Sequence, residues 1–356
     1  MANVWGKKLK LSIFGESHGS AIGVVVGGLP PGEAIDFAEI DREMLRRAPG
    51  RDAFSTARQE SDKVEILSGL YQGKTTGAPL CGLIRNTDAR SREYDSKLRP
   101  GHADWTALLK YGGYADMRGG GHFSGRLTAP LVFAGSLAKQ VLFRRGITIV
   151  CRIVRIGGIA DEGTYLQGDQ WEKIAGQNFP VWDVSAKARM MDEIVRAKDD
   201  GDSIGGIIEA AAFGLPGGLG DPFFDSMESV IASMIFSIPA VKGMEFGEGF
   251  RFADLRGSEA NDELYVENGK IGAYTNHNGG ILGGITNGMP LTVRVAIKPT
   301  PSIAKEQRTV DAATMQPVPL HIRGRHDPCI VPRAVPVIEA GVALSLLDCF
   351  LMEVTG

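Results

Sequence analysis

The chain has 356 residues, enough for two domains or one large layered domain. A net charge of −3 and an isoelectric point near 6.1 argue against a generally basic nucleic-acid binder or a binder of anionic membranes. The 47 glycines approach twice the ordinary share of about 7%, yet follow no Gly-X-Y period and form no low-complexity tract, so they point to glycine loops within a folded chain.

In chain order, "KLKLSIFGESHG" begins as a strand and ends in a glycine loop, and "GVVVGGLPPG" is a second strand closed by a Pro-Pro-Gly turn. "IDFAEIDREMLRRAPG" predicts a helix that stops at Pro49. "KVEILSGLYQGK" and "APLCGLIRN" suggest a hairpin. "TAPLVFAGSLAKQVLFRRG" has helical spacing, with arginines and Gly146 as its C-terminal signature. "IGGIIEAAAFGLP" predicts a strand. A helix follows over "DPFFDSMESVIASMIFSI", with Asp221 as N-cap and Pro222 at its first position. "LTVRVAIKPTPS" alternates like a half-buried strand, and "VPVIEAGVALSLLDCFLME" predicts a buried apolar helix. Strands joined by hairpins as often as by helices favour an α+β fold over a doubly wound parallel sheet.

Cys81, Cys151, Cys329 and Cys349 form no C-x-x-C pair, which suits buried thiols in a reducing compartment. The N-terminal stretch has no apolar core of signal-peptide length, and no uninterrupted apolar run approaches the ~20 residues that span a bilayer. A cytoplasmic protein is expected, with no membrane partner.

Function is sought in the loops. The glycine-loop contexts "GESHGS" and "RPGHAD" favour a functional role for His18 and His102, His122 and His326 lie in "GGGHFSG" and "GRHDPC", and His277 and His321 are expected to be structural. Arginines gather at three places: Arg46, Arg47 and Arg51; Arg118 and Arg126, flanking Gly119–Gly121; and Arg323, Arg325 and Arg333. Any one cluster is most simply a solvated face with surface ion pairs. Three of them beside glycine or proline turns, in a slightly acidic chain, suggest guanidinium forks and bare backbone N–H groups around a multiply anionic ligand. The common signatures are absent: no P-loop, no G-x-G-x-x-G opening a helix, no G-x-S-x-G elbow and no metal-ligand spacing such as H-E-x-x-H. An RGG-like RNA binder would need repetition and excess positive charge, which the chain lacks. A flavin-independent phosphosugar lyase or transferase stays open.

"FGESHG", "RPGHAD", "RGGG" followed by "SGR-TA", "GGILGGITNG", "KPTPSI" and "GRHDPC" followed by "PRAVPVIEA" occur in that order across nearly the whole chain. Together they resemble the chorismate synthase family. The resemblance implies a single domain over residues 1–356, a β-α-β sandwich with helices between two antiparallel sheets, and a homotetramer. It implies anti 1,4-elimination of phosphate from 5-enolpyruvylshikimate 3-phosphate, in the shikimate pathway to aromatic amino acids, with reduced FMN as cofactor. NADPH-driven flavin reduction belongs to fungal members, so a separate flavin reductase is the expected partner.

Roles follow by matching position. His18 corresponds to the histidine that protonates the departing phosphate, His102 to the one beside the flavin pyrimidine ring, and Asp327 to the aspartate assisting proton removal. Arg47, Arg51, Ser124, Arg126 and Arg325 match substrate contacts. The matching flavin contacts are His122, Phe123, Ser124, Pro239, Ala240, Gly283, Lys298, Pro299, Thr300, Pro301, Ser302 and Arg325. Ala48, Arg51, His122 and Phe123 depart from the usual family pattern.

Overall fold

The computed structural model describes residues 4–48, 62–87, 96–163, 171, 173–322 and 327–354. Arg51 and Arg325 lie outside the described residues, as do Arg323 and His326. Two antiparallel sheets enclose a layer of helices. The first sheet comes from the N-terminal part of the chain: β1 (Lys10–Gly15), β2 (Ala21–Gly27), β3 (Val64–Ser68) and β6 (Leu80–Arg85), in the order β1-β2-β6-β3. A small hairpin, β4 (Leu70–Tyr71) and β5 (Lys74–Thr75), interrupts the expected hairpin before β3 pairs with β6. The second sheet runs β10-β15-β9-β7-β8, from β7 (Thr148–Ile156), β8 (Ile159–Ala160), β9 (Gly206–Phe213), β10 (Val241–Phe246) and β15 (Leu291–Ile297). Three more hairpins, β11 (Leu264–Glu267) with β12 (Lys270–Ala273), β13 (Ile281–Leu282) with β14 (Ile285–Thr286), and β16 (Gln307–Asp311) with β17 (Gln316–Leu320), decorate the connections.

The helices are α1 (Phe37–Arg47), α2 (Asp104–Tyr111), α3 (Thr128–Phe143), α4 (Val184–Asp199), α5 (Met227–Ile235), the single turn α6 (Gly257–Ala260) and α7 (Val331–Val354). α3 and α7 form the middle of the sandwich. α3 packs on β2 and β6, α7 on β7 and β9, and the two pack on each other. Both are apolar around most of their circumference because each meets protein on nearly every side. They approach so closely that a Cβ on Gly135 would fall 2.2 Å from Ala340 Cβ. α7 is long and apolar enough to cross a membrane, but 89% of that stretch is buried inside the fold. Outside the second sheet a smaller apolar cluster joins Val150, Trp171, Ile174 and Ala211.

The helix expected from Asp221 starts later. Ser226 is its N-cap, accepting from Ser229 N at 3.1 Å, and Met227 is its first residue. The Asp221 amide is engaged by the carbonyl of Asp225, so the Pro222 stretch closes a turn ahead of the helix.

An ionic cluster is buried in the helical layer. Glu339 of α7 receives both ends of the Arg46 guanidinium, at 2.6 and 2.8 Å, and the Lys139 ammonium at 2.8 Å. Glu43 contacts the same two cations, at 3.1 and 3.0 Å. Burial opposes ionisation of Glu339, but Arg46 and Lys139 outweigh it and hold the carboxyl at about 2.

Candidate active site

Two polar groups at the loop ends of the sandwich gather most of the residues singled out in the sequence. The first is built around His18. β1 leaves the sheet at Gly15, and the chain turns through Glu16, Ser17 and His18 before β2. Ser17 N donates to Gly121 O at 3.1 Å, docking this turn onto the triple glycine. Gly119, Gly120 and Gly121 have φ of 61°, 89° and 53°, a left-handed run that side chains resist. A Cβ on Gly119 would lie 2.0 Å from His18 Cε1, so the bare backbone rests against the imidazole. His122 donates from Nδ1 to the Gly15 carbonyl at 2.9 Å. Phe123 is part-exposed, its ring 6.2 Å from that of Tyr111.

The arginines flanking the glycines separate. Arg118 turns to the surface and clasps Asp116 at 2.9 and 2.7 Å, which holds that carboxyl below its usual range. Arg126 turns inward, positioned by Ser124, whose hydroxyl accepts from Arg126 N at 3.3 Å. Arg126 Nε donates to Asn86 Oδ1 at 3.1 Å, and Asn86 Nδ2 donates to the carbonyls of Glu16 and Gly19, on either side of His18.

Arg47 arrives from α1. Asp36 caps that helix by accepting from Ala38 N and Glu39 N. Its buried face, Ile40, Glu43, Met44 and Arg47, follows the i, i+3, i+4, i+7 spacing that carries the last member to the site. Arg47 Nη2 lies 2.9 Å from Asp62 Oδ2, and Arg126 Nη1 contacts the other oxygen of the same carboxylate. Arg333, in the first turn of α7, donates from Nε to Arg47 O at 3.0 Å and from Nη1 to Asp327.

The second group centres on His102. Arg99 grips Asp104 at 2.8 and 2.7 Å and braces the turn; burial would raise the Asp104 carboxyl, but the guanidinium lowers it below the ordinary range. His102 Nε2 is 2.6 Å from Ser302 Oγ, itself a buried residue. Lys298 donates from Nζ to Gly101 O at 2.6 Å, and its backbone N–H donates to Ala240 O at 2.9 Å, beside Pro239. Ala240 has φ of 74°. Burial and the charge of Lys242 depress the Lys298 ammonium pKa. A recess of about 260 Å³ opens alongside, lined by Pro100, Gly101, Ser203, Pro299, Thr300 and Pro301. The Thr300 hydroxyl is buried with no hydrogen-bond partner among the described residues.

Residues 203–204 stitch the two groups together. Ser203 Oγ donates to Thr300 O at 2.6 Å, while Ile204 N donates to Pro328 O at 2.8 Å, next to Asp327. Gly283 stands apart, in the β13–β14 turn at the start of α5, where the carbonyl of Gly284 accepts from Met227 N. Sequence reasoning missed Asp62 and Asn86, which tie the arginines to the His18 loop. Arg333 was visible only as a member of a basic cluster.

This arrangement combines forked cations, which suit phosphate and carboxylate, with an imidazole held by packed backbone, able to exchange a proton. The comparisons identify the family. The sequence model of chorismate synthase matches residues 9–351. A chorismate synthase from Thermococcus kodakarensis is 49% identical over 349 residues, 97% of each chain. Another, from Dehalococcoides mccartyi, is 47% identical over 354 residues, 99% of this chain and 97% of that one. A crystal structure of a chorismate synthase superposes with a TM-score of 0.78 at 29% identity, covering 99% of this chain and 94% of that one. With sequence and sandwich architecture in agreement over almost the full length, the chain belongs to the chorismate synthase family.

Proposed function

We propose that the protein is a carbon–oxygen lyase that converts 5-enolpyruvylshikimate 3-phosphate to chorismate by anti 1,4-elimination. In that step the ring carbon–oxygen bond to phosphate breaks, a ring hydrogen departs, and the electrons left behind complete a second ring double bond. The observation that carries the reading is the hydrogen-bonded run from the His18 loop through Asn86, Arg126, Asp62 and Arg47 to Arg333 and Asp327. Such a run suits a substrate with one phosphate and two carboxylates.

Arg47, Arg126 and Ser124 bind the anionic groups in this reading, joined by Arg51 and Arg325 from outside the described residues. Their positive charge favours the extra negative charge that builds on the departing phosphate. His18 supplies the proton that leaves with the phosphate, a general-acid task that a positioned imidazole can perform. Asp327, oriented by Arg333, relays the proton lost from the ring.

The second group fits reduced FMN: a part-desolvated ammonium at Lys298, an orphaned Thr300 hydroxyl and the Ser302-held imidazole of His102 are donors suited to an anionic ring and its phosphate. When bound, reduced FMN supplies transient electron donation to the substrate ring. His102 stabilises negative charge beside it, and Lys298 with Thr300–Ser302 orients it; Pro239 and Ala240, with His122 and Phe123 from the His18 group, complete the proposed contacts, whereas Gly283 stands apart in the β13–β14 turn. The expected assembly is a homotetramer, with reduced flavin delivered by a separate reductase and the enzyme working in the cytoplasm.

An anaerobic assay with 5-enolpyruvylshikimate 3-phosphate and dithionite-reduced FMN should show the rise of chorismate absorbance. His18→Ala and His102→Ala should each lower turnover by about 100-fold or more with the fold intact, within the range expected for removing a positioned acid–base group. Turnover without flavin would favour the flavin-independent lyase; absence of chorismate would overturn the proposal.

A further inference from the structure

Asp62 precedes β3 and is 2% exposed. Its carboxylate is shared by two guanidinium groups from distant elements, Arg47 at the end of α1 and Arg126 just before α3. Both arginine side chains are 3% exposed, so neither can be reoriented by moving freely through water. Arg126 is tied onward to the His18 loop through Asn86, and Arg47 is tied through its backbone carbonyl to Arg333 and so to Asp327. Asp62 therefore links the part of the site carrying His18 to the part carrying Asp327. Asp62 also has φ of 47°, a conformation that Asp, Asn and Gly tolerate better than other residues.

We propose that Asp62 is the positioning residue of the anion site: its carboxylate fixes the spacing and mutual orientation of the Arg47 and Arg126 forks before substrate arrives. The inference rests on the reading of those two arginines as substrate contacts. Two like-charged, planar groups repel at close range and have several rotamers each. A bridging carboxylate removes both obstacles while the protein folds, so the ordering cost does not fall on the binding step.

The test compares Asp62→Asn, which keeps shape and backbone preference, with Asp62→Gly, which keeps the backbone preference and opens room. Substrate binding is followed by calorimetry without flavin, and steady-state KM and kcat are measured under reducing conditions. Asp62→Asn is expected to weaken substrate binding and raise KM by about tenfold or more, with a smaller change in kcat, since bound substrate can itself re-order the arginines. Sodium formate, whose carboxylate fits the vacated place, should recover much of the affinity of Asp62→Gly; sodium chloride at equal ionic strength should not. Formate recovery also serves as the deciding measurement if Asp62→Asn fails to fold. Wild-type affinity in Asp62→Asn, alongside weakened binding in Arg47→Ala and Arg126→Ala, overturns the positioning role alone. If those two arginine variants also bind normally, the anion-site reading falls and the role of Asp62 falls with it. A lowered melting temperature with unchanged KM and no response to formate likewise overturns the proposal, leaving Asp62 a purely structural ion pair.

Discussion

Gly119 lies so close to His18 that an added methyl group would meet Cε1 at 2.0 Å, and its φ of 61° already disfavours any side chain. Gly119→Ala should therefore push the imidazole aside and leave the sandwich untouched. A misplacement of about 1 Å can cost about 100-fold in rate, and a loss of that order in kcat is expected, with unchanged far-UV circular dichroism. Near wild-type turnover would show that the ring tolerates the shift and does not act as the acid. The glycine cluster was legible in the sequence as a place where backbone must come close to something, and the family resemblance pointed to His18. What it approaches was not legible: of the two flanking arginines, Arg126 turns inward to Asp62 and Asn86, while Arg118 turns outward to Asp116. Asp62 and Asn86 gave no signal, because a lone carboxylate or amide beside a strand follows no periodicity, and the arginine they share, Arg126, lies 64 and 40 residues away.

α1 shows how an element divides its work. Neighbouring residues at its end face different neighbours: Arg46 locks onto Glu339 and Glu43 in the interior, and Arg47 reaches Asp62. The buried cluster thus anchors the helix that carries a site residue. Glu339→Gln removes one partner from a buried ionic group, which typically costs about 3–5 kcal/mol. Urea unfolding near neutral pH should show a loss of that size. The acid limb of the stability curve should change as well. The folded carboxyl, at about 2, lies below its ordinary 4.5, so its contribution is fully present above about pH 4.5 and is lost as pH falls toward 2. Glu339→Gln should flatten the curve in that window; an identical acid limb would show that the carboxylate does not carry this dependence. The core elements α1, α3, α7, β1, β2, β9 and β15 were readable from period and punctuation, with α1 ending at Arg47 just ahead of the expected stop at Pro49, whereas β7, β10, α2, α4 and the later hairpins were not read. The start of α5 was misplaced because Asp221 and Pro222 carry the right cap chemistry in a segment that tertiary contacts close into a turn.

For the molecule as a whole, the sandwich matters because it brings His18, near one end of the sequence, into the same polar network as Asp327, near the other. The α+β class followed from the mixture of hairpins and helices, but the stacking of sheet, helices and sheet came from family resemblance, since periodicity does not say which face meets which. A second long-range tie reinforces this closure. Asp348 of α7 accepts from the backbone N–H groups of Lys7, Lys8 and Leu9, at 2.7 to 3.1 Å. Asp348→Asn should lower stability by about 1.5–3 kcal/mol, the scale of one hydrogen bond to a charged group, as a reduced urea midpoint with KM unchanged. An altered KM would mean that this tie also shapes the loops.

The position of α7 bears on how the protein is made. Of the described elements it is the last in chain order, yet it fills the centre of the core, between strands completed long before. Until α7 has been made, the inner surface of the second sheet, over β7 and β9, and the exposed side of α3 lack their cover. A nascent chain in that state is exposed to self-association and is a natural client for chaperones that shield apolar surface. Emergence of α7, more than emergence of either sheet, then sets the moment at which cooperative folding of the sandwich can finish.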